Sequence, residues 1–388
     1  MDHQRRQWVR LMAGGAMLSA AGLGGCSQDM PAAAVAAWEA AARETDPRRF
    51  ALAHAILAPH SHNLQSWLLD LSQADTVLLH CDLQRLLPET DPWSRQIMMS
   101  QGTFIELFEI AARERGYKTV VDLFPEGPFG ARGPDARPVA RLRLQADAAT
   151  PRDPLFAQIV RRRTNRNRYD TARPVPPEAW AAMRTAAAAS PAPHLAWAYG
   201  RDTAALVQHR AIAAEAWRIE LTTPRTFLES LKVMRVGARE VEQHRDGLTL
   251  LDGFPIAMER LGLFDRSRAP AADSTVITSQ LKDFNAKLES TPAFLWMVSE
   301  GNERATQIQA GRAYARVQLA ATAAGLAMQP LSQALQEYPE MAGPYAQIHR
   351  LVGANAPGRT VQMWARVGYA AGVGPAPRRG LAAHIVRS

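Results

Sequence analysis

The sequence is poor in cysteine and aromatic residues, and it has no long apolar run. Two cysteines, Cys26 and Cys81, stand in 388 residues, which excludes a disulfide-built scaffold and a four-cysteine metal site. Aromatic residues make up 7%, whereas hydrophobic residues as a group reach 47%. That balance is typical of a folded globular protein and excludes a disordered or fibrous one. No stretch reaches the roughly 18 apolar residues that a membrane-spanning helix needs.

Lysine is almost absent from a basic chain. The net charge is +8, and only four of the 45 basic residues are lysine. Such a charge raises nucleic acid and anionic membranes as candidate partners. The arginines are scattered, however, and no RNA-binding, zinc-finger or helix-turn-helix signature accompanies them, so we expect no nucleic-acid partner. One local cluster, residues 161–168, suits a small phosphate better than a long polyanion.

The first 26 residues have the pattern of an export signal. Arg5 and Arg6 precede an Ala/Gly-rich run, residues 11–25, which leads into Leu-Gly-Gly-Cys. The paired arginines resemble a twin-arginine (Tat) signal, and the last four residues resemble a bacterial lipobox. We therefore predict a signal over residues 1–25, lipidation of Cys26, and a periplasmic lipoprotein anchored to the membrane. A plain cleaved signal or an uncleaved anchor is the alternative. With Cys26 lipidated, Cys81 stays a lone thiol.

The remaining chain predicts an α+β protein with sheets flanked by helices, built from two similar halves. In both halves a strand leads to a long helix, a glycine ends that helix, and another strand follows. The predicted halves are residues 26–148 and 149–388, the second with a helical insertion at about 200–290. The predicted elements are residues 67–71, 76–80, 94–115, 119–124 and 139–144 in the first half, and 293–298, 305–324 and 361–369 in the second.

A polar loop between a helix and a strand is the first candidate for chemistry. Residues 58–67 include Ser61, Asn63 and Gln65 beside two histidines, His60 and His62. The histidines would share a face in an extended segment, but no third ligand lies nearby to complete a metal site. A simple polar turn is the other interpretation.

Three further segments stand out, of which an arginine-rich one is the most informative. Arg162, Arg163 and Arg166 with Thr164 match a phosphate dianion in charge and geometry, although a solvated helix face has the same composition. Residues 325–332 and the tail 372–379 are weaker, since Ala/Gly packing and a basic C-terminus explain them. No Walker A motif, dinucleotide-binding glycine motif or full metal-ligand spacing is present.

Taken together, these segments resemble the flavin-dependent nitroreductases. The pattern Pro-x-Ser-x-Asn-x-Gln-x-Trp over residues 59–67 is similar to their Pro-Ser-x-x-Asn-x-Gln-Pro-Trp loop, with His60 inserted and Ser66 in place of proline. Residues 162–166 are similar to their Arg-x-Ser/Thr-x-Arg/Lys phosphate motif. Residues 315–331 and the closing segment 367–379 resemble the family's helix–turn–strand unit and basic tail.

The resemblance implies a nitroreductase-like fold and an FMN cofactor. It places the phosphate, the ring or ribityl chain, and the flavin N5 beside three groups of residues, and it assigns no catalytic side chain. These groups are Arg162, Arg163, Thr164, Arg166, Arg378 and Arg379 for the phosphate, Ser61, Asn63 and Gln65 for the ring or ribityl chain, and Pro330, Leu331 and Ser332 for the backbone facing N5.

The order of the two motifs is reversed relative to ordinary family members. In those homodimers the arginine motif precedes the loop in one chain, and each flavin lies at the subunit interface. Here the loop comes first, so the first half would supply the loop and the second half the arginines. This arrangement resembles the Acg-type branch, in which one chain forms a pseudo-dimer. We therefore expect a monomer with one FMN site.

These features predict an exported FMN-dependent oxidoreductase that reduces a small acceptor. Ordinary nitroreductases take hydride from NAD(P)H, which an exported protein meets little of, so a membrane quinol or a partner reductase is the expected donor. Two alternatives remain open. The protein could bind or sequester flavin without turnover, or it could be a lipoprotein that binds a ligand without redox chemistry.

Overall fold

The computed structural model describes residues 27–189, 195–200, 203–262 and 265–387. The expected signal over residues 1–25 and the lipidation of Cys26 lie outside these ranges. Across the described ranges, no helix combines the length and the apolar character needed to cross a membrane.

Local sequence signals set the helix bounds. Asp46 accepts a hydrogen bond of 2.8 Å from the backbone N–H of Arg49, and Pro47 occupies the first helical position, as is favourable at an N-terminus. Gly116 and Gly325, with φ of 73° and 70°, end the two long helices in the left-handed conformation. The helices are α1 (Ala32–Val35), α2 (Ala37–Ala40), α3 (Pro47–Ala55), α4 (Arg95–Glu114), α5 (Pro177–Ala188), α6 (Thr203–Thr222), α7 (Pro224–Lys232), α8 (Gly237–His244), α9 (Gly253–Arg260), α10 (Thr275–Glu289), α11 (Arg304–Ala323) and α12 (Ala342–Leu351).

The strands form two main sheets and one small parallel pair. The first sheet has the order β11-β1-β2-β4-β3, the second has the order β5-β8-β10-β9, and β6 pairs with β7. The strands are β1 (Trp67–Asp70), β2 (Thr76–Cys81), β3 (Tyr117–Leu123), β4 (Ala140–Ala146), β5 (Leu195–Gly200), β6 (Met234–Val236), β7 (Leu248–Leu250), β8 (Ala293–Glu300), β9 (Ala327–Pro330), β10 (Arg359–Gly368) and β11 (Ile385–Arg387).

This architecture confirms the predicted α+β class. The expected hairpin forms between β1 and β2, with Trp67 opposite Cys81. In β4, Leu142 and Leu144 are buried while Arg141 and Arg143 are exposed, as the alternating pattern predicts. The predicted bounds of the long helices agree with α4 and α11 to within one or two residues.

The two sheets share one topology. The spatial order β1-β2-β4-β3 matches β5-β8-β10-β9, with antiparallel neighbours throughout. In each, the long helix follows the second strand of the chain order and leads into the third. Between β5 and β8 the chain inserts the helices α6 to α10, which have no counterpart in the short turn between β1 and β2.

The helices α4 and α11 cross closely at two glycines. A Cβ on Gly102 would lie 2.0 Å from the carbonyl oxygen of Ile308, and one on Gly311 would lie 1.9 Å from that of Met99. The number of positions from Gly102 to Gly311 also separates Met99 from Ile308. The contact is therefore reciprocal, as in an interface with two-fold symmetry.

Buried ion pairs tie the same two helices together. Glu106 of α4 accepts hydrogen bonds from Arg312 at 2.7 Å and from Arg316 at 2.8 Å. Arg316 also pairs with Asp153 at 2.8 Å. These side chains are almost fully buried, so each charge depends on its partners for compensation.

Two segments cross from the second half to the first. Strand β11 pairs in parallel with β1, although the predicted boundary assigns residues 149–388 to the second half. The inserted helices place Asp246 between Arg235, at 2.8 Å, and Arg85 of the first half. The first contact adds a strand beside β1, and the second reaches Arg85, which follows β2.

Candidate functional site

The site loop, residues 59–66, is held in an uncommon backbone conformation. His62, Asn63 and Gln65 have φ of 49°, 55° and 54°, a region that side chains other than glycine adopt at a cost of about 1–3 kcal/mol each. Helix α4 anchors the loop: Thr103 Oγ1 donates to Pro59 O at 2.7 Å, and Ser100 Oγ accepts from Ser61 N at 3.1 Å. Strain concentrated in one short loop indicates a functional segment more than a simple turn.

The loop amides predicted to contact the flavin are bonded to the C-terminal tail and the insertion. Gln65 Oε1 accepts from the backbone N–H of Arg379 at 2.9 Å, and its Nε2 donates to Arg245 O at 2.9 Å. Asn63 Nδ2 donates to Pro377 O at 3.1 Å, and its Oδ1 accepts from Arg378. Gln65 is fully buried, so its amide positions the loop.

Both loop histidines are neutral at physiological pH. The backbone N–H of Ser66 donates to His60 Nε2 at 3.1 Å, and burial lowers the pKa of His60 to about 3. Burial, with Arg166 nearby, lowers the pKa of His62 to about 4. In the described part of the chain, no group of three His, Cys, Asp or Glu side chains could hold a metal ion.

Three arginines from two distant segments surround one tryptophan. The guanidinium carbons of Arg163, Arg378 and Arg162 lie 4.4, 5.3 and 5.9 Å from the ring centroid of Trp38. Trp38 Nε1 in turn donates to Ala376 O at 2.8 Å, which fixes the tail against the N-terminal segment. We call Arg162, Arg163 and Arg378 the arginine cluster.

The arginine cluster lacks a balancing negative charge. Arg162 donates to Leu57 O at 3.1 Å and Arg378 to Ala58 O at 3.0 Å, and no salt bridge among the described residues reaches any member of the cluster. The Nε atoms of Arg162 and Arg378 are buried and have no hydrogen-bond partner among the described residues. Burial lowers the pKa of Arg162 to about 10 and that of Arg378 well below its usual value. Buried cations without compensation are costly, and a bound anion would remove that cost.

Arg166 lies near the cluster, since its charge and that of Arg162 both act on Tyr314. Its side chain is accessible to solvent, and partial burial by the surrounding protein lowers its pKa. Its charge also acts on His62 and Tyr169. Among the described residues the buried Tyr314 hydroxyl has no hydrogen-bond partner, so a third unsatisfied polar group belongs to the same region.

The structure brings some predicted residues together and separates others. Arg379 turns away from the cluster and donates to Gln65 O. Thr164 is half-buried within the arginine segment, and its neighbour Asn165 donates to Met328 O of β9 at 3.1 Å. Among the described contacts, no hydrogen bond joins the arginines to residues 330–332. In that segment Leu331 belongs to an apolar core cluster, while Pro330 and Ser332 are half-buried.

Sequence patterns do not single out three residues that shape the site. Trp38 lies in an Ala-rich stretch, Gln318 of α11 contacts Arg162 and Arg163 at 3.4 Å, and Arg245 caps the loop through its carbonyl oxygen. Each contact joins residues more than a hundred positions apart in the sequence, so no local spacing predicts it.

No family model matches the chain. Two curated relatives, from the CDC 1551 and H37Rv strains of Mycobacterium tuberculosis, are 28% identical over 301 residues. The match covers 74% of this chain and 76% of each relative. Both carry the provisional name NAD(P)H nitroreductase.

Solved structures give a weaker comparison. They include the nitroreductase NfnB from Mycobacterium smegmatis with NADPH (21% identity, 58% of this chain and 94% of that chain, TM-score 0.34). Iodotyrosine deiodinase bound to FMN is similar at 16% identity, covering 58% of this chain and 95% of that chain, with a TM-score of 0.35. Scores this low do not establish a shared fold. The curated relatives, in contrast, support the resemblance to flavin-dependent nitroreductases that the sequence motifs indicate.

Proposed function

We propose that this chain is an FMN-dependent oxidoreductase of the nitroreductase type. The observation that carries the proposal is the arginine cluster, in which Arg162 and Arg378 are buried and no carboxylate of the described residues pairs with any member. A phosphate dianion matches that charge and can accept several of the unused N–H groups. The two curated relatives named as NAD(P)H nitroreductases support the same assignment.

The residues present fit FMN, and each has a definite task. Arg162, Arg163 and Arg378 would hold the phosphate, with Arg166 nearby. His60 and His62 stay uncharged and add no further positive charge beside the cluster. When bound, FMN supplies hydride and electron transfer. The chain's own residues bind and orient it, and no side chain is assigned a proton-transfer role.

We also propose that the chain is a pseudo-dimer of two nitroreductase-like halves in one monomer, of the Acg type. The shared strand order and the reciprocal glycine contact support this. Residues 26–148 and 149–388 would be the halves, with β11 returning to the first. The site loop from one half and the arginines from the other would then form one FMN site.

Export completes the proposal. Arg5, Arg6 and Cys26 support a Tat-type lipoprotein signal and a periplasmic, membrane-anchored protein. In that compartment a membrane quinol or a partner reductase would be the electron donor, and a small molecule would be the acceptor. Stopped-flow reduction by NADPH and by a quinol separates the donors, and rapid reduction by NADPH alone would contradict the quinol assignment.

Retention of FMN tests the site directly. We expect Arg163→Ala and Arg166→Ala together to weaken FMN binding by at least about 100-fold, since each charged hydrogen bond contributes about 1.5–3 kcal/mol. The matched control is Arg161→Ala, an exposed neighbour, which should keep its flavin. The measurement is flavin absorbance of the purified protein after dialysis. Equal retention in all three proteins would overturn the phosphate assignment.

One observation favours flavin binding without turnover as a second candidate. The inserted segment covers the site loop: Gly247 N donates to Asn63 O at 3.1 Å, and Arg245 O accepts from Gln65. A covered loop restricts access of a reductant to the ring. If FMN is retained but neither NADPH nor quinol reduces it, these two donors are overturned, and this candidate replaces the oxidoreductase that uses them.

A further inference from the structure

A second cleft of about 520 Å³ lies between α4, α11 and β3, away from the arginine cluster. The side chains of β3 that point toward it are those at alternate positions, as expected for one face of a strand. The residues lining it are Glu109, Arg113, Thr119, Val121, Leu123, Ala189, Gln309 and Arg312.

The lining residues are the symmetry counterparts of the first site. The spacing that separates Gly102 from Gly311 also separates Gly116 from Gly325. The same spacing therefore relates helix α4 to helix α11, and strand β3 to strand β9. Applied to the cleft, this spacing relates two of its residues to Pro330 and Ser332, which the resemblance assigns to the flavin, and four to residues that contact the site loop or the arginine segment. The pairs are Glu109 with Gln318, Thr119 with Met328, Val121 with Pro330, Leu123 with Ser332, Gln309 with Ser100, and Arg312 with Thr103.

Of the two lining residues that remain, Arg113 corresponds to Thr322, which has no assigned part in the first site, and Ala189 fits the symmetry. Ala189 caps the C-terminus of α5, as Ile56 caps α3 immediately before the site loop. The cleft therefore occupies the position that a second flavin ring would take in a symmetric dimer.

The second cleft lacks a phosphate cradle. In the second half, the segment ahead of α5 carries the arginines of the first site. Its counterpart ahead of α3 holds the Ala-rich helices α1 and α2. Among the described lining residues, the two arginines, Arg113 and Arg312, are both paired with Glu109, so the cleft offers no uncompensated guanidinium cluster to a phosphate.

The walls of the second cleft hold unsatisfied polar atoms beside apolar surface. Among the described residues, Thr119 Oγ1 and Gln309 Oε1 have no hydrogen-bond partner, and both atoms are buried. Arg113 donates to Glu109 at 2.6 Å, whereas Arg312 is bound to both Glu106 and Glu109. Val121 and Leu123 offer apolar contact. These walls suit a flat ring whose edge carries both carbonyl and N–H groups.

We propose that the second cleft binds a planar heteroaromatic compound with an amide-like edge and no phosphate. Val121 and Leu123 contact the ring face, Gln309 Oε1 accepts from its N–H, and Thr119 or Arg113 donates to its carbonyl oxygen. The choice of a flavin-like ring rests on the proposed function of the first site, but the cleft and its unsatisfied atoms do not.

The test uses lumichrome, a tricyclic ring of this kind without phosphate, titrated by calorimetry into protein saturated with FMN. We expect one equivalent to bind. Val121→Trp fills the cleft and should weaken lumichrome binding by at least about tenfold while retaining FMN. The matched control is Lys118→Trp, on the exposed opposite side of β3, which should bind both ligands.

Three outcomes separate this proposal from the first. If the wild-type protein binds FMN but no lumichrome, or if Val121→Trp binds lumichrome as tightly as the wild type does, the second-cleft proposal is wrong. If the wild-type protein does not bind FMN, lumichrome is titrated into the proteins without FMN. A further single variant, Pro330→Trp at the first site, is then compared with Val121→Trp. Lumichrome binding lost in Val121→Trp but kept in Pro330→Trp then supports the second cleft even though the proposed function fails. The reverse pattern overturns it.

Discussion

Several single residues in this molecule carry ionisable groups that burial keeps neutral. The histidines among them make the fold less stable at low pH, whereas a buried glutamate makes it less stable at high pH. Burial lowers the pKa of His60 and His384 to about 3, so stability falls as pH drops below about 6.5, where the unfolded chain gains protons first. Burial raises the pKa of Glu220 to about 7. Below pH 4.5, the ordinary pKa of a glutamate, this carboxyl is protonated in both the folded and the unfolded chain. Its contribution to the stability of the fold is lost as pH rises through about 7.

Glu220 makes a prediction that depends on pH. Its Oε2 accepts from Gln336 Nε2 at 2.8 Å, and the charge of Glu229 lies nearby. Glu220→Gln removes the buried charge that forms at high pH. We expect the wild-type protein to lose on the order of 2 kcal/mol more stability than the variant between pH 5 and pH 8. Urea unfolding at both pH values measures this.

An exposed carboxyl provides the control for that experiment. Glu178→Gln lies on the surface of α5 and should follow the wild-type pH dependence. If Glu220→Gln shows the same change from pH 5 to pH 8 as the wild type, the buried carboxyl is not the titrating group.

Residue-scale prediction from sequence located the arginines and the loop but not how they meet. The charge of Arg162 and Arg163 is visible in the sequence because the residues are adjacent. That Arg378 rather than Arg379 joins them depends on the tail packing against Trp38, through a contact that spans most of the chain. The folded structure also commits the amides of Asn63 and Gln65 to the tail, which no local pattern could indicate.

At the scale of elements, the crossing of α4 and α11 depends on two missing side chains. Gly102 and Gly311 let each helix backbone touch the other. The period of apolar residues predicts both helices and their ends from sequence, since it is a local property. Which glycine lies at the crossing depends on the partner helix, so the sequence pattern alone does not reveal it.

Alanine at either crossing glycine should destabilise the protein. Alanine favours an isolated helix by about 0.5–1 kcal/mol over glycine, but here its Cβ would lie within 2.0 Å of a backbone carbonyl oxygen. The steric cost exceeds the gain in helix propensity, because relieving the clash requires moving a whole helix. We therefore expect Gly102→Ala and Gly311→Ala each to lower the free energy of unfolding by about 1–3 kcal/mol or more. Gly343→Ala in α12 meets no atom within 4 Å and should be neutral or slightly stabilising. Equal midpoints in urea for all three variants would refute the close crossing.

Short strands mark where sequence reasoning failed at this scale. The hairpin β1–β2 is predictable because its strands adjoin and its turn is local. Strand β11, of three residues, was not predicted, since its partner β1 lies at the other end of the chain. Strand β11 pairs with β1 through backbone hydrogen bonds. Any residue type can form these bonds, so the sequence does not indicate the pairing.

The two halves should behave as one cooperative molecule. Glu106 pairs with two buried arginines of the second long helix, Arg312 and Arg316. Glu106→Ala leaves each arginine with a single carboxylate partner, Glu109 or Asp153, at an expected cost of about 3 kcal/mol. We expect tryptophan fluorescence and far-ultraviolet circular dichroism to report one transition, shifted together to lower urea. Glu39→Ala, in an exposed pair with Arg43, should have almost no effect. Two separate transitions in the wild type would contradict this coupling.

The parallel pairing of β11 with β1 has a consequence for synthesis of the chain. Strand β11 is translated after every other described element, and β1 is among the first. During translation the outer edge of the first sheet, with the backbone groups of Leu69 and Leu71 that later bond His384 and Arg387, therefore stays open. An open edge favours pairing with other nascent chains, so the ribosome-bound protein is at its most aggregation-prone until β11 emerges and pairs with β1.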